Sequence, residues 1–210
     1  ISFSWGGIEL AYTKNSKILK NNVTKTYNAI YLLDSFGNKI SNNNALNNSQ
    51  GILLSNSLNN TIVNNNVLNS DYVGIHLLSS SSNTIADNDI LKNDFGIGLY
   101  KSSDNEIKEN NISLNNANGI DLLESSSNNE ITKNNINSNG QSGITIFVSS
   151  NNNNIYLNNF INNTENAPLV ASDQSNNWNT PEKVTYTYSD NKYTNYLGNY
   201  WVDYKLDFRQ

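Results

Sequence analysis

Apolar residues along this chain come in short groups that alternate with polar ones, and the groups recur. From Gly96 to Asn118 the sequence runs Gly-Ile-x-Leu, a Ser/Asp corner, Asn-x-Ile-x-x-Asn-Asn-Ile and a second corner, before returning to Gly119-Ile120. Each group alternates at period two and is too short for two helical turns, so each predicts a strand with one buried face. The first group carries Ile8, Ile30, Ile52, Ile75, Ile97, Ile120 and Ile144, spaced 22, 22, 23, 22, 23 and 24 residues apart, with Leu10, Leu32, Leu54, Leu77, Leu99, Leu122 and Ile146 two positions later. The second carries Ile18, Ile40, Ile62, Ile85, Ile107, Ile131 and Ile155, and the third Val23, Ala45, Val67, Ile90, Ile112, Ile136 and Phe160. Self-similarity at this period over seven copies means a solenoid. Three strand-like groups per copy predict an all-β fold, a parallel β-helix of about seven three-strand coils, right-handed by analogy with crossovers between parallel strands.

Asparagine occupies 47 of the 210 positions, a composition that would suggest disorder if it were not periodic. Asn21, Asn43, Asn65, Asn88, Asn110, Asn134 and Asn158 stand three residues after the second-group Ile. Ser16, Asn38, Asn60, Asn83, Asn105, Asn129 and Asn153 stand two before it. Asn tolerates left-handed corners, and stacked amides can bond along a column. Asn22, Asn44, Asn66, Asp89, Asn111, Asn135 and Asn159 form an adjacent column. The sequence leaves open which of these two neighbouring columns points inward.

After Phe160 the period breaks. Repeats over 1–163 give way to a polar connection and an aromatic hairpin around Ser189-Asp190-Asn191 over 164–210, within the same structural domain. Tyr186, Tyr188, Tyr193, Tyr196, Tyr200 and Trp201 are expected to cover the last coil, or alternatively to stack on sugars. At the other end only Phe3 and Trp5 precede the first repeat. An open first coil of Ile8, Leu10, Ile18 and Val23 predicts a neighbouring domain or self-association there.

The net charge of −5 and the scatter of 13 basic residues argue against a nucleic-acid partner. No apolar run is long enough for a membrane-spanning helix. Without Cys there is no disulfide framework. The acidic residues Asp87, Asp89, Asp94, Asp104, Glu106 and Glu109 fall on different turns with no metal-ligand spacing, so no metal or cofactor is expected. Lys101 and Glu124 share a column one coil apart and predict a surface ion pair.

Candidate chemistry lies on the outer side of the first group. Between its two apolar positions stand Glu9, Tyr31, Leu53, His76, Gly98, Asp121 and Thr145. His76 and Asp121 are two coils apart, about 10 Å at the spacing of paired strands, so only a water or a substrate could join them. The next outward column, Ala11, Leu33, Ser55, Leu78, Tyr100, Leu123 and Phe147, predicts an apolar stripe for a partner or ligand, unless the strand bends and tucks it under a turn or the C-terminal connection covers it. Asn22, Asn47, Asn59, Asn111 and Asn162 begin N-x-[S/T] sequons and are glycosylation candidates in a secreted chain.

The Gly-Ile-x-Leu…Asn-x-Ile-x-x-Asn repeat resembles the NosD-type parallel β-helix repeats of secreted and cell-surface proteins, which are similar to carbohydrate-binding and sugar-hydrolase β-helices. The tail, Asn176-Asn177-Trp178 and then Tyr193 to Tyr204, resembles the segment that closes such helices in methanogenic archaea. The resemblance implies an archaeal cell-surface protein. Related tails run on into an Asp/Gly-rich, calcium-like loop, whereas this chain has Lys205-Leu206-Asp207-Phe208-Arg209-Gln210, so no metal follows from it. The family name is tied to copper, yet the chain has no Cys, no Met and one His. The leading functional expectation is a non-enzymatic extracellular rod for envelope structure, adhesion or self-assembly. The alternative is a carbohydrate-binding module or polysaccharide-active domain of a larger protein. One Arg, at 209, and no clustered carboxylates weigh against catalysis.

Overall fold

A computed structural model of the chain describes residues 4–147, 149–167 and 175–202. It is all-β, with seven coils stacked in one column and the beginnings of an eighth. One coil consists of Phe95–Tyr100, Glu106–Lys108 and Asn111–Ser113. Equivalent strands stack in parallel into a first and a second sheet of seven strands each and a third sheet of eight. The register pairs like with like: Ile97 lies between Ile75 and Ile120, Ile107 between Ile85 and Ile131, and Ile112 between Ile90 and Ile136.

The four apolar columns form one continuous core. From the second coil to the sixth their residues are at most 1% exposed. In the first coil Ile8 and Leu10 stay half-buried and Trp5 stands 90% exposed, while Phe3 lies outside the described residues. Each fully buried Leu or Ile contributes roughly 1.5–3 kcal/mol, so the stack holds itself together layer by layer.

Each corner is made by two consecutive residues with different tasks. The first takes a left-handed backbone, and the second turns its side chain into the column. At the corner between the second and third sheets Lys20, Asn42, Asn64, Asp87, Glu109, Lys133 and Leu157 have φ between 53° and 58°. Asn21, Asn43, Asn65, Asn88, Asn110, Asn134 and Asn158 follow them. From Asn43 to Asn158 these are 0–2% exposed, so this is the inward column, and the adjacent Asn22…Asn159 column lies on the outer surface. Left-handed geometry therefore belongs to the residue before the ladder Asn rather than to the Asn itself. Asn110 shows what the ladder Asn does. Its backbone N–H and Nδ2 both donate to Asn134 Oδ1 at 3.0 Å, and Nδ2 also donates to the Ile85 carbonyl at 2.9 Å. Its own Oδ1 accepts from the backbone N–H and Nδ2 of Asn88. Every bonding position of the amide is used, in a place where an unpaired one would cost about 1–3 kcal/mol.

Two further ladders were not anticipated. Ser35, Ser57, Ser80, Ser102, Ser126 and Ser150 are buried after the first sheet, each hydroxyl accepting a backbone N–H from the preceding coil. Asn48, Asn93, Asn115, Asn139 and Asn163 are buried after the third, with Ser70 replacing Asn in the third coil. The Ser70 hydroxyl is buried without a partner.

The chain after Phe160 continues the helix rather than abandoning it. Glu165 bridges to Ser142, Asn177 bridges to Asn154, and Tyr200–Trp201 pairs with Asn159–Ile161. Asn176 extends the ladder above Asn153, and Asn199 the one above Asn158. These are pieces of an eighth coil. The antiparallel hairpin Val184–Tyr188/Asn191–Asn195 is inserted at its corner. Trp201 closes the core by stacking on Phe160, ring centroids 4.4 Å apart, with Trp178 against it. Tyr188, Tyr193, Tyr196 and Tyr200 remain 44–69% exposed, so the covering is done by the two tryptophans and not by the tyrosines.

Candidate functional site

The outer face of the first sheet is shaped by a glycine. A Cβ on Gly51 would lie 2.3 Å from the Gly74 carbonyl oxygen and 2.3 Å from Val67 Cγ1 in the core. The strand therefore brings its backbone against the third-sheet residues at that point, and strict alternation fails. Residues three apart, rather than two, share the outer face. Asn118 Nδ2 accordingly donates to Asp121 Oδ1 at 2.8 Å. Three outward columns result. One runs through Asn28, Gln50, Val73, Phe95, Asn118 and Ser142. The middle one runs through Tyr31, Leu53, His76, Gly98, Asp121 and Thr145, and the third through Leu33, Leu78, Tyr100, Leu123 and Phe147.

The middle column is a floor. Leu53, Asp121 and Thr145 are 5–7% exposed although they point away from the core, and Tyr31 and His76 are half-buried. Leu33, Leu78, Tyr100 and Leu123 beside them are half-buried and Phe147 is 40% exposed. The expected cover from the C-terminal connection falls partly at 168–174, outside the described residues. Tyr72 stands edge-on to both His76 and Phe95 at the opposite border.

His76 and Asp121 flank Gly98 in register, and the imidazole leans over the glycine: a Cβ on Gly98 would sit 3.4 Å from His76 Cδ2 and 3.8 Å from Nε2. His76 Nδ1 meets Gln50 Oε1 at 3.2 Å. With that oxygen as acceptor Nδ1 carries the proton, and Nε2 is left to accept. Burial holds the imidazole neutral, lowering its pKa to about 4. Burial also pushes the Asp121 carboxyl up to about 6, against the opposing effects of Asn118 and Thr145. The Thr145 hydroxyl lies close enough to the Asp121 carboxyl to oppose that rise, and Asn28 Oδ1 on the neighbouring column is buried without a protein partner.

The structure places the sequence-predicted His76, Asp121, Tyr31 and the stripe residues along one strip of the first sheet. Sequence reasoning missed Gln50, Asn118 and Asn28, which reach the face only because the strand bends. Lys101 does not pair with Glu124. Its ammonium lies over the Tyr100 ring, 5.1 Å from the centroid, and the ion pairs among the described residues are Lys108–Glu106 and Lys133–Glu109. Of the sequons, Asn22, Asn47, Asn59 and Asn162 are exposed and Asn111 is half-buried. Two shallow depressions lie elsewhere. One of about 580 Å³ is bordered by Asn177, Trp178, Pro181 and Tyr196, and one of about 290 Å³ by Asp34, Phe36, Asn56 and Leu58.

A family model described as periplasmic copper-binding protein (NosD) matches residues 6–206. Similar solved structures include the periplasmic alginate epimerase AlgG (21% identity, TM-score 0.65, covering 82% of this chain and 46% of the epimerase). They also include DFA-IIIase from Arthrobacter chlorophenolicus A6 with GF2 bound (15%, TM-score 0.59, 67% and 39%) and the A-module of a mannuronan C-5 epimerase from Azotobacter vinelandii (14%, TM-score 0.51, 81% and 57%). These likenesses show the fold alone, and the chain spans under half the length of the first two. No curated protein matches it in sequence. The donor set does not fit the copper of the family description: the chain has one His, soft sulfur ligands are lacking, and no three His, Asp or Glu side chains converge among the described residues. The chain belongs to the NosD family, whose description places it outside the cytoplasm.

Proposed function

We propose that the chain is an extracytoplasmic, cell-surface β-helical rod that binds a neutral polysaccharide along the outer face of its first sheet, without cleaving it. The observation that carries this reading is the floor between Tyr31 and Thr145. Asp121 and Thr145 are buried and His76 is half-buried, and all three point away from the core on one outward column. His76 Nε2, the Asp121 carboxyl and the Thr145 hydroxyl offer the mixture of acceptors and donors that sugar hydroxyls match, and Tyr31 and Tyr72 offer aromatic rings beside them. The columns run parallel to the helix axis, so a polymer chain lying in them would meet one coil after another. The fold likeness to proteins named for alginate and GF2 supports a saccharide as the occupant.

A neutral chain is favoured over an acidic one. Among the described residues the floor presents Asp121 and no guanidinium or ammonium group to receive a uronate carboxylate, and Lys101 at the border is held over Tyr100. The same geometry supports binding without turnover: His76 and Asp121 stand two coils apart, and among the described residues no second carboxylate approaches Asp121. Adhesion or envelope structure is the use such a rod would have. A glycan array with neutral and uronate oligosaccharides, followed by a reducing-sugar assay on the ligands retained, tests the reading. Retention of neutral chains with no new reducing ends is expected. Preference for uronates, release of reducing sugar, or retention unchanged by Thr145→Val with Tyr31→Ala would contradict it.

A further inference from the structure

The outer face of the second sheet carries charge in an order that the fold makes legible. One outward column runs, coil by coil, Lys17, Lys39, Thr61, Thr84, Glu106, Glu130 and Asn154. Two lysines lie next to each other at one end, two glutamates at the other, and two threonines between. Like charges in adjacent strands, about 4.8 Å apart, repel. A column that places Lys on Lys and Glu on Glu gives up the pairing that alternation within the chain would provide.

We propose that two copies of the chain pair antiparallel through this face. A two-fold axis passing between the Thr61 and Thr84 layers, along the strand direction, reverses the rod while keeping each column opposite itself. Lys17 then meets Glu130 of the second copy, Lys39 meets Glu106, and Thr61 meets Thr84, with every contact occurring twice as a closed isologous interface requires. The neighbouring outward column agrees with the same axis. Leu19 falls opposite Thr132, Ser41 opposite Lys108, and Val63 opposite Ala86, so small side chains meet at the centre where the sheets must approach most closely. Lys17, Lys39 and Glu130 are exposed, Glu106, Thr61 and Thr84 are half-buried, and Leu19 is 45% exposed. Glu106 is held on this face by Lys108 and Glu130 by Tyr156. At the corner Lys20 would lie opposite Lys133, whose charge is shared with Glu109. Parallel packing would instead set Lys on Lys and Glu on Glu, and any shift of one coil would leave a charge facing Thr.

Six layers about 4.8 Å apart and strands about 10 Å wide offer roughly 300 Å² per copy before the corners are added, well below the ~800 Å² per partner of a stable complex. The pair is therefore weak, selected by charge, and sensitive to salt.

Sedimentation velocity on the full 210-residue chain decides it, with two double variants, Lys17→Glu/Lys39→Glu and Glu106→Lys/Glu130→Lys. Wild type is expected to dimerise at low ionic strength and to lose at least about tenfold in affinity near 0.5 M salt, where screening is short-ranged. Each double variant alone is expected to be monomeric, the mixture of the two to form a heterodimer, and the combined fourfold swap to dimerise again. Thermal melts like that of wild type establish that the variants fold. A wild type monomeric at low salt, a double variant that dimerises by itself, or a mixture that stays monomeric would each overturn the proposal. So would association lost in Ile8→Lys or Leu10→Lys but kept in the double variants, because that outcome assigns the contact to the first coil.

Discussion

In the strand Phe95–Tyr100, Ile97 and Leu99 face inward and Gly98 between them faces outward. Followed along the stack, the two faces behave differently. The inward columns hold Ile and Leu in every coil, whereas the outward column reads Glu9, Tyr31, Leu53, His76, Gly98, Asp121 and Thr145, no residue twice. Inside, each layer must fit an identical layer 4.8 Å away, so the solution that works once works seven times. Outside, the coil needs no particular side chain. Variety there is free to serve a ligand, and departures from the repeat mark where function is to be sought.

The sharpest way to break this comparison is to put a charge inside. Ile107→Asp buries a carboxylate with no partner, and Asn110→Asp replaces an amide that donates to Asn134 and Ile85 with an oxygen that repels both. Each should cost several kcal/mol and abolish cooperative unfolding, read by circular dichroism. A wild-type melt for either would contradict the buried assignment.

On the outer floor the effects are smaller and depend on pH. The folded-state pKa of Asp121, about 6, lies above its ordinary value, so the folded chain holds the proton more tightly. Stability from this group is complete below about pH 4 and is lost as pH rises to 6. His76, about 4 when folded, lies below its ordinary value, so its contribution is present above about 6.5 and is lost as pH falls toward 4. Each is worth about 3 kcal/mol and the two slopes nearly cancel in the wild type. Denaturant titrations should separate them: Asp121→Asn loses stability on acidification from pH 6.5, and His76→Gln gains it between pH 6 and 4.

Two milder substitutions sharpen the contrast. Ser70→Asn supplies the amide missing from the ladder between Asn48 and Asn93, and should add about 1 kcal/mol and raise the Tm by a few degrees. Asn22→Ala, in the outer Asn column, should change stability by less than about 0.5 kcal/mol, although Asn21 beside it belongs to the ladder.

How much of this could be read in the sequence follows from the same division. The core columns and their register were legible because period and alternation encode them directly, as in Ile85, Ile107 and Ile131. Which Asn column turns inward was not, because Asn21 and Asn22 are the same residue type and the choice rests on the left-handed Lys20 before them. The ladder through Asn93 and Asn115 was in phase but masked by Ser70. The eighth coil was hidden because the hairpin separates Asn176 from Asn199, so the spacing across its corner, 41 residues from Asn158 to Asn199, no longer resembles the repeat. On the site, His76 and Asp121 were visible as departures from the repeat. Their supports Gln50 and Asn118 were not, since period-two alternation assigns them to the other face and only the close approach at the Gly column reverses it.

The measurement that bears most directly on the saccharide reading is the affinity of Gly98→Val for a neutral oligosaccharide retained by the wild type. A Cβ at Gly98 meets His76 Cδ2 and Val73 Cγ1 at ordinary contact distance, and the two methyl groups of valine extend from it into the floor beside His76. Isothermal titration should show binding weakened at least about tenfold with the melt unchanged. Undiminished affinity in a normally folded variant would mean that the sugar, if it binds, does so somewhere other than the outer face of the first sheet.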